Sequence, residues 1–334
     1  MPNFLDSKFL QIIDNVIYIK ILHILAKSKL GNCAVWRIVM LVCMGMASVN
    51  AEAQELQQWA EYDFSNGAYL PAKAGDQGWQ RFFIMRRDQW VGFPGSPKST
   101  LLGWNGNLGS LDQVGVYFLQ DKLGIQSHQR LSTNKSISLG SFLGVSWGAG
   151  INLGYQWSSI TTSGLEQFDP ALDGMTNQSS FIIGAGFGFS SETFVFQGSF
   201  LPSLKDDGRK EKQWLQFLDW KPRFLSRKSM SLRSNIKMDL GDVQIRSASL
   251  TVLKDFEQLS LGLRIRSEGA VGVRVAISNT NLLPGPIDLV FNAELIGAKV
   301  ENGPILYSNE IGIAYRFTKM VSREREGHKT VRYL

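Results

Sequence analysis

The sequence predicts an all-β fold, an antiparallel transmembrane β-barrel of the outer-membrane type, and three observations carry that prediction. Apolar and small or polar residues alternate with a period of two in run after run, an export-type signal precedes the first run, and the last run ends on aromatic residues. Successive side chains of a strand point to opposite faces, so a wall with lipid outside and water inside is spelled in this way. The closing run sets Ile311, Ile313, Tyr315 and Phe317 against Gly312, Ala314 and Arg316. A soluble sandwich would bury its apolar face and rarely oppose so much glycine to it.

Residues 1–53 read as an N-terminal extension plus a signal peptide. Arg37 precedes an apolar core from Ile38 to Ala47, and Ser48-Val49-Asn50-Ala51-Glu52-Ala53 supplies an Ala-x-Ala end cut after Ala53. Ahead of it, Leu10, Ile12, Ile13, Val16, Ile17, Ile19, Ile21 and Leu22 give an apolar or amphipathic helical pattern. Two readings stand: an over-extended start with natural initiation near Arg37, or an uncleaved N-terminal anchor. Leu41-Val42-Cys43 faintly resembles a lipoprotein site, but the apolar run continues through it, which argues against lipidation. Cys33 and Cys43 both precede the cut, so disulfide and thiol chemistry are absent from the expected mature chain.

Residues 54–78 lack sustained alternation and contain Pro71, Gly67 and Gly75, so they are placed on the periplasmic side or in the barrel mouth. The barrel is assigned to residues 79–318, starting with the strand Trp79 to Arg87. A loop stiffened by Pro94 and Pro97 follows, and the chain returns through Leu101, Leu102 and Trp104. Trp90 suits the aromatic girdle of a membrane interface. Phe181, Ile183, Ala185, Phe187 and Phe189 alternate with Ile182, Gly184, Gly186 and Gly188, and a return strand begins at Thr193 after Ser190-Ser191-Glu192. Lys205 to Lys212 reads as a charged loop, a candidate for partner contact, followed by an aromatic strand or short interfacial helix. Leu259 to Ile265 and Val271 to Ile277 form a hairpin about the turn Ser267-Glu268-Gly269. Between Ser229 and Leu253 the register is open, because Lys237, Asp239 and Asp242 interrupt the apolar face. At about ten residues per strand plus connections, the barrel region holds on the order of 12 to 14 strands. Residues 319–334 form a basic, solvated tail.

Composition agrees: 33 glycines, 20 phenylalanines, 9 tryptophans and 19% charged residues fit a barrel, which needs no continuous apolar span. The net charge of +6 is not interleaved with stacking residues, so nucleic-acid binding is not expected.

The segment Arg87-Asp88-Gln89-Trp90-Val91-Gly92-Phe93-Pro94-Gly95-Ser96-Pro97 resembles a signature of the PorP/SprF family of type IX secretion system membrane proteins. Ala68 to Gly75 is similar to the family's early Asn-Pro-Ala-x-x-Gly element, with Leu70 where Asn is usual. The run Val114 to Gly124 resembles its strand ending in Asp121-Lys122-Leu123-Gly124, Leu139 to Tyr155 its next hairpin, and Asp169-Pro170-Ala171 its Asp-Pro-Ala loop. The strand Gly184-Ala185-Gly186-Phe187-Gly188 follows in order, so the resemblance covers about Gln57 to Leu204. The family motif residues are therefore Arg87, Gln89, Trp90, Gly92, Pro97, Asp121, Lys122, Gly124, Asp169 and Pro170.

Each tempting site has a plainer reading. Gly184, Gly186 and Gly188 mimic a phosphate loop, but alternation runs straight through them and no helix opens. Arg246, Arg264, Arg266, Arg274 and Arg316 fall on inward positions, where they line either an anion path or a hydrated lumen paired with acids. The aspartates lack calcium-loop spacing, and His128 and His328 give neither a metal cluster nor a convincing triad. No catalytic, metal or cofactor-binding residue is assigned, and an enzyme is not expected.

The resemblance implies a 14-stranded barrel in the outer membrane of a Gram-negative bacterium. It implies a binding role in the type IX secretion system, docking cargo such as gliding adhesins, or secretion machinery. The implied partners are that machinery, secreted cargo and the lipid bilayer, with no nucleic acid and no small-molecule cofactor. A passive outer-membrane channel or small-molecule transporter is the alternative, because inward Gly and Arg would leave room in the lumen.

Overall fold

The computed structural model describes residues 59, 67–71, 80–107, 112–160, 177–204, 210–222, 225, 229–240, 244–267, 269–283, 285–296 and 306–317. Its strands are β1 (Gln80–Asp88), β2 (Lys98–Asn107), β3 (Asp112–Leu123), β4 (Gln126–Phe142), β5 (Val145–Ile160), β6 (Gln178–Ser190) and β7 (Phe194–Leu204). They continue as β8 (Lys210–Trp220), β9 (Met230–Asp239), β10 (Gln244–Asp255), β11 (Leu259–Arg266), β12 (Ala270–Leu283), β13 (Gly285–Ile296) and β14 (Leu306–Phe317). Every strand pairs antiparallel with its neighbours in sequence, and β1 pairs with β14 to close a barrel of 14 strands. Closure leaves no unpaired edge, the condition a sheet must meet in lipid.

The period of two decides which face each residue takes. In β1, Phe82 and Ile84 are exposed outward while Phe83, Met85 and Arg87 are buried inward. Leu261, Leu263 and Ile265 of β11 and Val271 and Val273 of β12 repeat the outward apolar set, and Ile311 and Ile313 complete it beside the seam. Aromatic rings gather at both ends of the wall. Tyr155 meets Phe181 with centroids 5.1 Å apart, whereas Phe189 near the opposite end of β6 stacks on Phe196 at 4.7 Å and meets Trp147 at 5.4 Å. Two such girdles are the interfacial pattern of a membrane barrel.

The barrel has a loop end, with the β1–β2 and β3–β4 connections, and a terminal end, where β1 begins and β14 finishes. At the terminal end the β4–β5 hairpin runs past the last β3 pairing, Asp112 with Ile137, to a two-residue tip of Leu143 (φ 50) and Gly144 (φ 75). Positive φ at both tip positions is the type I′ pattern that suits strand twist, though Leu there is strained.

Details depart from the sequence reading. The first described strand runs from Gln80 to Asp88, and β7 begins at Phe194 because Thr193 N–H is held in the turn by Ser191 Oγ at 3.3 Å. Of the strand and the short helix expected after the charged run, the strand forms, and it begins at Lys210, inside that run. The open register between Ser229 and Leu253 resolves into β9 and β10, with a bulge between Ile245 and Ser247 that turns Arg246 inward onto Asp239 at 3.0 Å. Asp169, Pro170, most of the charged Lys205–Lys212 loop, the signal region and the basic tail lie outside the described residues.

Candidate functional site

The rim at the loop end is built from the motif residues themselves. The β1–β2 loop consists of two consecutive turns, with Phe93 N–H donating to Trp90 O at 3.1 Å and Ser96 N–H to Phe93 O at 3.2 Å. Gly92 (φ 100) and Gly95 (φ 73) occupy the third position of each turn, and Pro94 precedes Gly95 as a type II turn favours. Gln89 N–H donates to Pro97 O at 2.9 Å, closing the loop at its base. Gly124 N–H of the β3–β4 turn donates to Gly95 O at 2.9 Å, and a Cβ on Gly95 would stand 3.4 Å from Gly124 Cα. Gly124 has φ 58, so both glycines at this contact take the left-handed backbone that glycine adopts without strain. Beneath them Ser99 Oγ donates to Asp121 at 2.6 Å. Gln89, Trp90, Gly92 and Pro97 thus form one unit with Gly124, above the Ser99–Asp121 contact, while Lys122 is exposed on the outward face and Arg87 turns inward; Val91 N–H reaches across to Tyr307 O of β14 at 3.0 Å.

Below the rim, part of the 54–78 segment lies inside the barrel. Trp59, Ala68, Tyr69 and Leu70 are buried, and the first three share an apolar cluster with the inward residues Phe83, Met85, Leu101, Tyr117 and Leu201. Backbone carbonyls of the segment are met by inward side chains. Asn134 donates to Gly67 O, Asn152 to Ala68 O at 3.4 Å, and Ser199 to Tyr69 O at 2.6 Å. Trp59 Nε1 donates to Tyr69 Oη at 3.1 Å. The wall gives way where the segment passes: a Cβ on Gly186 would stand 3.2 Å from the ring of Pro71. Of the β6 glycines that mimic a phosphate loop, Gly186 therefore supplies room for a strap of the protein's own chain, and Gly184 supplies it for Leu201 of β7.

The inward arginines are in ion pairs or hydrogen bonds. Glu294 receives Arg87 at 3.0 Å, Arg266 at 3.2 Å and Arg264 at 3.6 Å, while Arg87 also approaches Glu310 at 3.8 Å. Arg264 further donates to Thr251 Oγ1 at 2.9 Å, and Arg274 to Ser260 Oγ at 3.1 Å. Arg316 meets Asp288 at 2.8 Å near the terminal end. Arg266 and Arg316 keep 13% and 21% of their side chains exposed while paired with inward acids, whereas Arg87, Glu294 and Glu310 are at most 4% exposed.

Ser99, Asp121 and His128 lie on adjacent strands, yet Ser99 donates to the carboxylate and not to the imidazole, so the Ser–His–Asp order of a triad is not assembled. Among the described residues no group of His, Cys, Asp and Glu is placed to hold a metal ion. Sequence reasoning singled out neither Asn134, Asn152 and Ser199 nor Glu294 and Glu310. The usable signal was the cluster of inward glycines on β5 and β6, which leaves a volume that something must fill.

A family model described as type IX secretion system membrane protein PorP/SprF matches residues 51–263. No curated protein matches the chain. Among solved structures, Omp33 of Acinetobacter baumannii is similar at 8% identity over 72% of this chain and 100% of that one, with a TM-score of 0.43. A TodX deltaS2S3 mutant, a monoaromatic hydrocarbon channel, is similar at 12% identity over 76% and 94%, with a TM-score of 0.42. A triple mutant of the Rhodopseudomonas blastica porin is similar at 10% identity over 71% and 99%, with a TM-score of 0.34. Likeness at these scores carries no argument about function.

Proposed function

This chain belongs to the PorP/SprF family of type IX secretion system membrane proteins, and we propose that it serves that system as a docking component in the outer membrane. It binds secreted cargo, such as a gliding adhesin, or secretion machinery, and it catalyses no reaction. The observation that carries this reading is the rim, where family motif segments from two separate loops are hydrogen-bonded into one ordered surface. A preorganised loop binds without a large ordering cost, which suits recognition. The buried strap from Gly67 to Pro71 weighs against a passive channel, since it occupies space a permeant would need.

The test is a detergent pull-down from native outer membrane, comparing the wild type with a Trp90→Ala, Pro97→Ala double variant. The wild type should carry type IX machinery or cargo, and the variant should assemble a barrel and lose them. Recovery of a solitary wild-type barrel, or a variant with unaltered assembly and cargo secretion, would sink the proposal. A stable anion-selective pore in planar bilayers would favour the channel instead.

A further inference from the structure

We infer that the outward face of β1–β3 at the loop end binds the phosphate-bearing headgroup of a membrane lipid. Lys98 of β2 stands directly opposite Lys122 of β3, and both side chains are exposed on the outward face, with Ser99 and Asp121 pointing inward beside them. Like charges in directly opposed positions repel, so the pairing costs stability unless an anion lies between them. The neighbouring charges do not supply it. Asp88, opposite Lys98, is engaged by Arg86 at 3.0 Å, and Arg86 also donates to Thr100 at 3.2 Å. Neither lysine has an ion-pair partner among the described residues.

The surroundings decide which anion fits. Toward the middle of the wall, the same outward face carries Ile84, Leu102 and Val116, and Leu131 beside them on β4, all exposed. This strip is continuous with the lipid-facing band, and the lysines crown it. Side chains opposite each other in an antiparallel pair stand about 5 Å apart at Cβ, so two flexible ammonium groups can share one phosphate. A lipid satisfies both halves of the surface, with its chains on the apolar strip and its phosphate between Lys98 and Lys122. Free phosphate would gain nothing from the strip. Lys122 belongs to the Asp121-Lys122-Leu123-Gly124 motif, yet it faces away from the rim contact made by Gly124, so the docking role leaves it unused.

Native mass spectrometry of the purified full-length barrel in mild detergent tests the inference, with lipid A, phosphatidylcholine and inorganic phosphate titrated separately. The expected result is one saturable lipid A adduct, weakened about twenty-fivefold in a Lys98→Gln, Lys122→Gln double variant at roughly a factor of five for each lysine. A Lys98→Arg, Lys122→Arg variant should retain binding, since charge and reach are kept. Both lysines are exposed, and the heat-modifiable gel shift checks that each variant is a folded barrel. Equal lipid A binding by the glutamine variant would overturn the inference. So would displacement of lipid A by equimolar inorganic phosphate, which would identify a simple anion site, or phosphatidylcholine binding as tight as that of lipid A.

Discussion

Replacing Ser199 and Asn134 together by alanine should loosen the strap without opening the wall. Each side chain donates to a strap carbonyl, Ser199 to Tyr69 O at 2.6 Å and Asn134 to Gly67 O. Asn152 is left intact because its Oδ1 also accepts from the buried, charged Arg130 at 3.0 Å, whereas Asn134 gives up besides only a donation to the Tyr117 hydroxyl at 3.2 Å, which still donates to Asn105. A net hydrogen bond contributes about 1 kcal/mol, so the pair contributes about 2 kcal/mol, and carbonyls left buried without a donor add to the cost of the seated state. The equilibrium for release of the strap should therefore rise about thirtyfold or more. Hydrogen exchange of the peptide containing Gly67 to Leu70 reads this directly, and planar-bilayer conductance reads its consequence. Exchange should accelerate by that factor while strand amides of β4 and β7 stay protected. If exchange in the strap changed less than twofold in a folded barrel, the apolar contacts of Trp59 and Tyr69 would have to hold the segment alone, and the hydrogen-bond argument would be wrong.

Three further outcomes are expected. Arg87→Met removes the guanidinium between Glu294 and Glu310 and should lower the urea unfolding stability by about 3 kcal/mol, with Arg87→Lys intermediate; an unchanged midpoint would show that the carboxylates are not held by it. Gly124→Val places a β-branched residue at φ 58 in the turn whose N–H holds Gly95 O, so protease cleavage within residues 89–97 should accelerate while the barrel still shows its heat-modifiable shift. Leu143→Asn relieves a left-handed leucine at an exposed hairpin tip and should raise the refolding midpoint by about 1 kcal/mol, and a loss would mean that Leu143 makes a contact worth more than its strain.

Alternation made the wall legible, and runs such as Ile311 to Phe317 and Leu259 to Ile265 take the faces their spelling demands. The motif residues of the rim were readable one by one, but their convergence was not. It depends on the β1–β2–β3 register bringing Gly95 to Gly124, a pairing no local pattern encodes. The strap escaped for a related reason. Its lack of alternation says that it is not wall, while the groups that seat it, such as Ser199, lie 130 residues further along the chain. Arg87 and Glu294 are 207 residues apart and meet because β14 closes on β1, so an inward acid reads as an isolated lumen charge until closure is known.

The hydrogen bond from Val91 N–H to Tyr307 O crosses the seam between the first strand and the last. The β1–β2 loop is therefore fastened to a residue near the start of β14, which is made after nearly all of the rest of the barrel. Until that strand is in place, the loop lacks one of its anchors and the rim lacks its finished outline. A partner that reads this rim is reading completion as well as identity: it finds its full surface on a closed barrel, and an unfinished one offers it only fragments.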